Sequence, residues 1–138
     1  MPYATQSDLE ERFGSEELAQ LTDRVNGSII DAAVVGRALA DAHAEIDSHL
    51  AVRYPLPLSS SPEVLVAIAC DIARYRLHDE RATEIVAKRY EEAARRLRAL
   101  ASGAAVLVGI SQPAAAGGVN VTVRSSARFF DADGLAEY

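Results

Sequence analysis

A chain of 138 residues that is 49% apolar fits one domain, and a domain of that size buries roughly two thirds of the surface its unfolded form exposes. A net charge of -6 with a pI near 5.0 argues against wrapping around nucleic acid, because phosphate binding draws on clustered Lys and Arg to displace counterions. The single Cys70 excludes an intrachain disulfide and a cysteine zinc cluster. With no basic leader before an apolar run and no apolar stretch near about 18 residues, the sequence reads as a soluble protein made in the cytoplasm.

Two short helices are expected first, back to back. Thr5 can cap a helix whose first turn holds Asp8, and Gly14 supplies a left-handed stop. Ser15 is expected to act as a second N-cap, with Glu16 and Glu17 at the positive end of the next helix. Asp31 then caps a long helix to Tyr54, on which Val35, Leu39, Ala42, Ile46 and Leu50 make one stripe and Arg37, Asp41, Glu45 and Ser48 another face. The segment from Tyr54 to Ser61 contains two prolines and must break it.

Ser61 caps a further helix from Pro62 to about Asp79. Leu65, Ile68, Ala69, Ile72 and Ala73 form its centre, Val64, Val66, Cys70 and Leu77 widen it, and Asp71, Arg74 and His78 fill a narrow polar sector, so this helix is expected to be the most buried. From Thr83 to about Ser102 the pattern is amphipathic, with Val86, Tyr90, Ala93, Leu97 and Leu100 on one face. Glu84 with Lys88, Glu91 with Arg95, and Glu92 with Arg96 are spaced for ion pairs one turn apart. The fold class is therefore all-α: a compact bundle of two short and three longer helices over residues 1–103, followed by a linker and extended arm over 104–138.

In that arm, Gly103 stops the last helix, residues 104–110 form a short apolar run, and 111–118 are rich in Pro, Ala and Gly. The alternation at Val119, Val121 and Val123 has strand period with no partner strand elsewhere in the chain. Strand addition to a neighbouring molecule would satisfy it, with Arg128, Phe129 and Phe130 as an anchor; the alternative is a disordered tail, since termini are often loose unless tied down.

Catalytic readings are outweighed at each point. Asp41, Glu45 and His49 recur every four residues and could aim metal ligands from one face, yet a second ligand-bearing helix is missing, and a solvated stripe with Arg37 paired to Asp41 accounts for them. Cys70 on an apolar helix reads as an inert buried thiol, and His78 beside Asp79 and Glu80 as the polar end of a helix. No glycine spacing fits a phosphate loop. Tyr54, Tyr75 and Tyr90 sit on or beside apolar stripes, as core or interface residues do. Glu91 and Glu92 neutralise the Arg95, Arg96 and Arg98 cluster. No catalytic residue, cofactor or metal is assigned.

Three blocks carry a resemblance. The opening from Tyr3 to Asp23, the stretch from Asp41 through Arg53 and Tyr54 to Leu58, and the stretch from Cys70 to Leu77, extended by Arg89 and Tyr90, resemble the small head-to-tail connector proteins of Mu-like tailed phages over about residues 2–102, and the tail resembles them mainly in its Arg128, Phe129 and Phe130 ending. The resemblance implies a non-enzymatic virion protein at the neck, a dodecameric ring of identical copies below a portal protein and above a stopper or tail terminator, with genomic DNA passing through without tight binding and no membrane partner. Within it, Glu16, Glu17, Asp41 and Glu45 are candidates for an acidic lumen that repels DNA phosphates. The alternative is a small helical binding or regulatory protein of a prophage or host, acting as a dimer on a peptide; a metal-dependent enzyme comes third.

Overall fold

The computed structural model describes residues 2–110, and these form five α-helices: α1 Gln6–Phe13, α2 Ser15–Thr22, α3 Ala32–Leu50, α4 Glu63–His78 and α5 Glu84–Ser102, with a 3-10 turn at Asp79–Arg81. The all-α bundle expected from the sequence is what forms. The expected arm at Val119, Val121, Val123, Arg128, Phe129 and Phe130 lies outside the described residues.

Local chemistry explains most boundaries. The Thr5 hydroxyl accepts from the Asp8 N-H while the Asp8 carboxylate accepts from the Thr5 N-H, a reciprocal capping box. Asp31 accepts from the N-H groups of Ala33 and Val34, and Thr83 accepts from that of Val86. Gly103 ends α5 in the left-handed conformation that glycine adopts without strain.

Four boundaries differ from expectation. Gly14, at φ 92 and ψ 143, is not a left-handed stop. It serves both helices, its N-H donating to the Glu10 carbonyl and its own carbonyl accepting from Leu18, so Ser15 falls inside α2 and makes no cap. Helix α3 ends at Leu50, four residues before Tyr54. Pro55 keeps Tyr54 out of the helical region, and the chain closes in turns whose Arg53 and Tyr54 N-H groups both donate to the Leu50 carbonyl. Ser61 is not the cap of α4; Pro62 takes that position without a side-chain bond, and the Ser61 hydroxyl donates to the Pro2 carbonyl. Among the described residues the three pairs Glu84–Lys88, Glu91–Arg95 and Glu92–Arg96 are not within 4.0 Å, nor is Arg37–Asp41. Exposed pairs gain little in water and lose side-chain entropy when held.

Helix α4 is the axis of the core. Leu65, Ile68, Ala69, Cys70, Ile72, Ala73 and Leu77 are buried, and α1, α2, α3 and α5 all touch it. Val64, expected to widen its apolar surface, is only partly covered, at 38% exposed. The expected stripe of α3 is buried in full, and that of α5 is buried except for the half-buried Tyr90. Residues 104–110 fold back on the bundle: Leu107 is buried and its N-H donates to the Tyr54 hydroxyl at 3.1 Å.

Burial pushes the Cys70 thiol up to about 12, so the nucleophilic thiolate is scarce at neutral pH. Cys70 is expected to react with a thiol reagent at the rate of unfolding, and at once in denaturant. Fast labelling of the folded protein would contradict this.

Candidate functional site

The polar side chains that sequence reasoning singled out are divided by the fold into inter-helix clamps and free surface. On α2, Glu17 receives the Arg74 guanidinium of α4 through two hydrogen bonds, 2.7 Å from Nε and 3.0 Å from the terminal nitrogen. The same guanidinium lies 4.2 Å over the Phe13 ring, and His78 Nε2 is 3.8 Å from Glu17. A planar fork suits this role, since it engages a carboxylate edge-on while presenting its face to an aromatic ring. One Arg therefore fixes α1 and α2 onto α4.

On α3, Glu45 accepts from Arg76 of α4 at 2.8 Å and from the Tyr90 hydroxyl of α5 at 3.0 Å. Tyr90 in turn stacks on Tyr75 with ring centroids 4.2 Å apart. Desolvation, followed by the bond to Glu45, raises the Tyr90 pKa. Tyr75 and Tyr90 thus spend their ring faces on each other, and Tyr54 is buried. Of the four acidic candidates for a lumen, Glu17 and Glu45 are held in these clamps, whereas Glu16 and Asp41 are exposed. His49 Nδ1 lies 3.0 Å from the Glu45 carbonyl, and among the described residues no group of three metal-ligating side chains is placed to hold an ion.

A third cluster ties down the N-terminal residues. Buried Tyr3 donates its hydroxyl to Asp47 and meets His43 edge to face at 5.7 Å, while the Ala4 N-H donates to His43 Nε2 at 3.3 Å. Burial holds His43 below the ordinary imidazole pKa, against opposing contributions from Ala4 and Asp47. A lowered histidine pKa stabilises the fold above the unfolded value of about 6.5, and the contribution is lost as pH falls from there through the folded value. The strap at Tyr3 and Ala4 is expected to loosen as pH drops below about 6.5, seen as faster hydrogen exchange at the Ala4 amide after correction for intrinsic rates. Unchanged protection would contradict this.

The exposed large apolar side chains are segregated, which periodicity did not reveal. Among the described residues they are Val25, Ile29, Val52, Val64, Ile85, Val106 and Val108, and each lies at or beside an end of the bundle. Val25 and Ile29 occupy the loop between α2 and α3. Arg24 in that loop faces Asp79 at the end of α4, and Ile85 follows in the first turn of α5. Val52, Val106 and Val108 cluster about the opposite end, where Tyr54 bonds Leu107 and Arg53 covers Gly103; Val64 starts α4. The outer surface between is small or polar: Gly36, Arg37, Ala40, Asp41, Ala44 and Ser48 on α3, and Lys88, Glu92, Arg95 and Arg96 on α5.

The loop that presents Val25 and Ile29 is built rather than slack. Asp23 accepts from the N-H groups of Val25, Asn26 and Ser28, contacts that lower its pKa, the bond from Asn26 most. Thr22 donates to the Leu18 carbonyl and accepts from the Asp31 N-H. Beside the loop runs an open groove of about 870 Å³ lined by Ser15, Glu16, Ala19, Gly27, Ile29 and Ile30.

Comparison with known proteins gives this bundle a family. A model described as "Bacteriophage Mu, Gp36" matches residues 3–124. The chain belongs to the bacteriophage Mu Gp36 family. It is 40% identical over 109 residues to "Mu-like prophage FluMu protein gp36" of Haemophilus influenzae, covering 79% of this chain and 77% of that one. It is 36% identical over 104 residues to "Gene product J" of Escherichia phage Mu, covering 75% and 74%. The Gp36 match runs past residue 102, where the blocks read from the sequence stop, and takes in Val119, Val121 and Val123. Among the described residues no helix is long and apolar enough to cross a membrane.

Proposed function

We propose that this Gp36-family protein is a non-enzymatic head-to-tail connector of the virion, a ring of identical copies below the portal that passes DNA onward and receives a stopper or tail terminator beneath. The observation that carries the reading is the segregation of exposed apolar side chains to the two ends of a bundle whose flanks are small, polar or charged. A domain with two separate apolar faces is suited to contacts on two sides, and heterologous contacts between unlike patches close into a ring when the rotation divides a full turn. Three clamps, Glu17 with Arg74, Glu45 with Arg76 and Tyr90, and Asp47 with Tyr3, hold the helices in register. Such rigidity suits a part that transmits position rather than performs chemistry. Glu16 and Asp41 are the exposed carboxylates of the acidic set, and Asp41, which lies outside the groove beside α2, is the one left to repel a sliding duplex.

A nonsense mutation in the phage gene tests this reading. The expected outcome is DNA-filled heads and complete tails that fail to join, with joining restored by adding the purified protein to the mixed lysates. Normal joined particles without the protein would overturn it.

A further inference from the structure

Resting on the connector reading, we infer that the groove between α2 and the loop before α3 receives residues Val119–Phe130 of a second copy of this chain. The apolar part of the groove lining comes from Ala19, Ile29 and Ile30, and Val25, 88% exposed, lies with Ile29 on the adjoining side. Its rim carries Glu16, with Asp23 and Asp31 on the adjoining side. Arg24, which also lies there, faces Asp79 at 4.0 Å. The proposed occupant is complementary in both respects: Val119–Phe130 holds three valines, two phenylalanines, Arg124 and Arg128, and no carboxylate. An extended segment satisfies its valines only against an apolar surface, and its two cations favour an acidic rim.

Chain geometry supplies the reach. The described residues end at Ile110, beside Val106 and Val108 at the end of the bundle opposite the groove. Helix α3, which separates the two ends, is about 28 Å long at 1.5 Å per residue. The segment from Ser111 to Phe130 spans up to about 66 Å when extended. Departure at one end and an acceptor at the other make donor and acceptor different patches on every copy. Such a contact between unlike patches can propagate from copy to copy around a ring.

The test uses the full chain with photoreactive p-benzoyl-L-phenylalanine in place of Phe130, mixed as equal parts of light and nitrogen-15-labelled protein and irradiated at the highest soluble concentration. The expected result is cross-linked peptides of mixed isotope that join position 130 to residues 15–31. Association measured by sedimentation should weaken about thirtyfold for Ile29→Asp, as for an interface hot spot. It should also weaken for Glu16→Arg and for Arg128→Glu, and recover when these two charge reversals are combined in one chain. Cross-links to residues 15–31 within one copy only, cross-links to the Val52 and Val106 end, a protein that is monomeric throughout, or no recovery in the double reversal would overturn the inference. Self-association through another face would leave the connector reading standing, whereas absence of the protein from particles would remove that reading whatever the cross-links show.

Discussion

Ile72→Ala is expected to lower the unfolding free energy by about 2 to 5 kcal/mol, the range for emptying an aliphatic site in a packed core. Ile72 is fully buried on α4, the helix that α1, α2, α3 and α5 all touch, so a cavity there has walls on several elements and cannot close by a shift of one. A shift of the urea midpoint with an unchanged slope checks it, because the slope reports the surface exposed on unfolding. Cys70→Ser in the same helix should cost less, since it alters one small group rather than removing a branched side chain and a helical Ser can donate its hydroxyl to the carbonyl one turn back, and should leave assembly intact. Loss of assembly by a Cys70→Ser protein with unchanged circular dichroism would mean that the thiol has a chemical role.

Removal of residues 119–138 is expected to reduce incorporation into particles to background while leaving a helical bundle of nearly unchanged stability. The physical reason lies in the division of labour between the two parts of the chain. The core residues from Tyr3 to Leu107 form one contiguous apolar cluster, whereas the removed segment holds Val119, Val121, Val123, Phe129 and Phe130, for which the sequence offers no partner strand. Circular dichroism of the shortened protein and its content in purified particles, measured together, separate folding from assembly. Normal yields of joined particles would show that the bundle faces alone carry assembly.

The helices were legible because their signals are local. Thr5 with Asp8, Asp31 and Thr83 cap as their side chains allow, and the stripes from Val35 to Leu50 and from Val86 to Leu100 follow the helical period. Where the expectation failed, a neighbour in the chain or across the fold decided. Pro55 shortened α3, Gly14 served two helices at once, and Ser61 was drawn to the Pro2 carbonyl.

Ion pairs were read along single helices and formed between them instead. Arg74 reached Glu17 across 57 positions and Arg76 reached Glu45 across 31, because a half-buried inter-helix site strengthens a charge pair that water weakens on an open face. The apolar ends were hidden for a related reason. A lone Val25, Ile29 or Val52 in a connecting segment carries no period, so its exposure is set only when the helices on either side are placed. Membership of a Mu-like phage family was readable from the blocks around Tyr54 and Cys70, and the Gp36 match extends to residue 124.

The most direct test of the proposed function is a density map of the neck of the intact particle, reconstructed without imposed symmetry at the head-to-tail junction. The expected result is a ring of copies of this five-helix bundle between the portal and the first tail component, with Asp41 facing the channel. Density for the bundle in the capsid shell or along the tail, or particles that lack the protein, would contradict it.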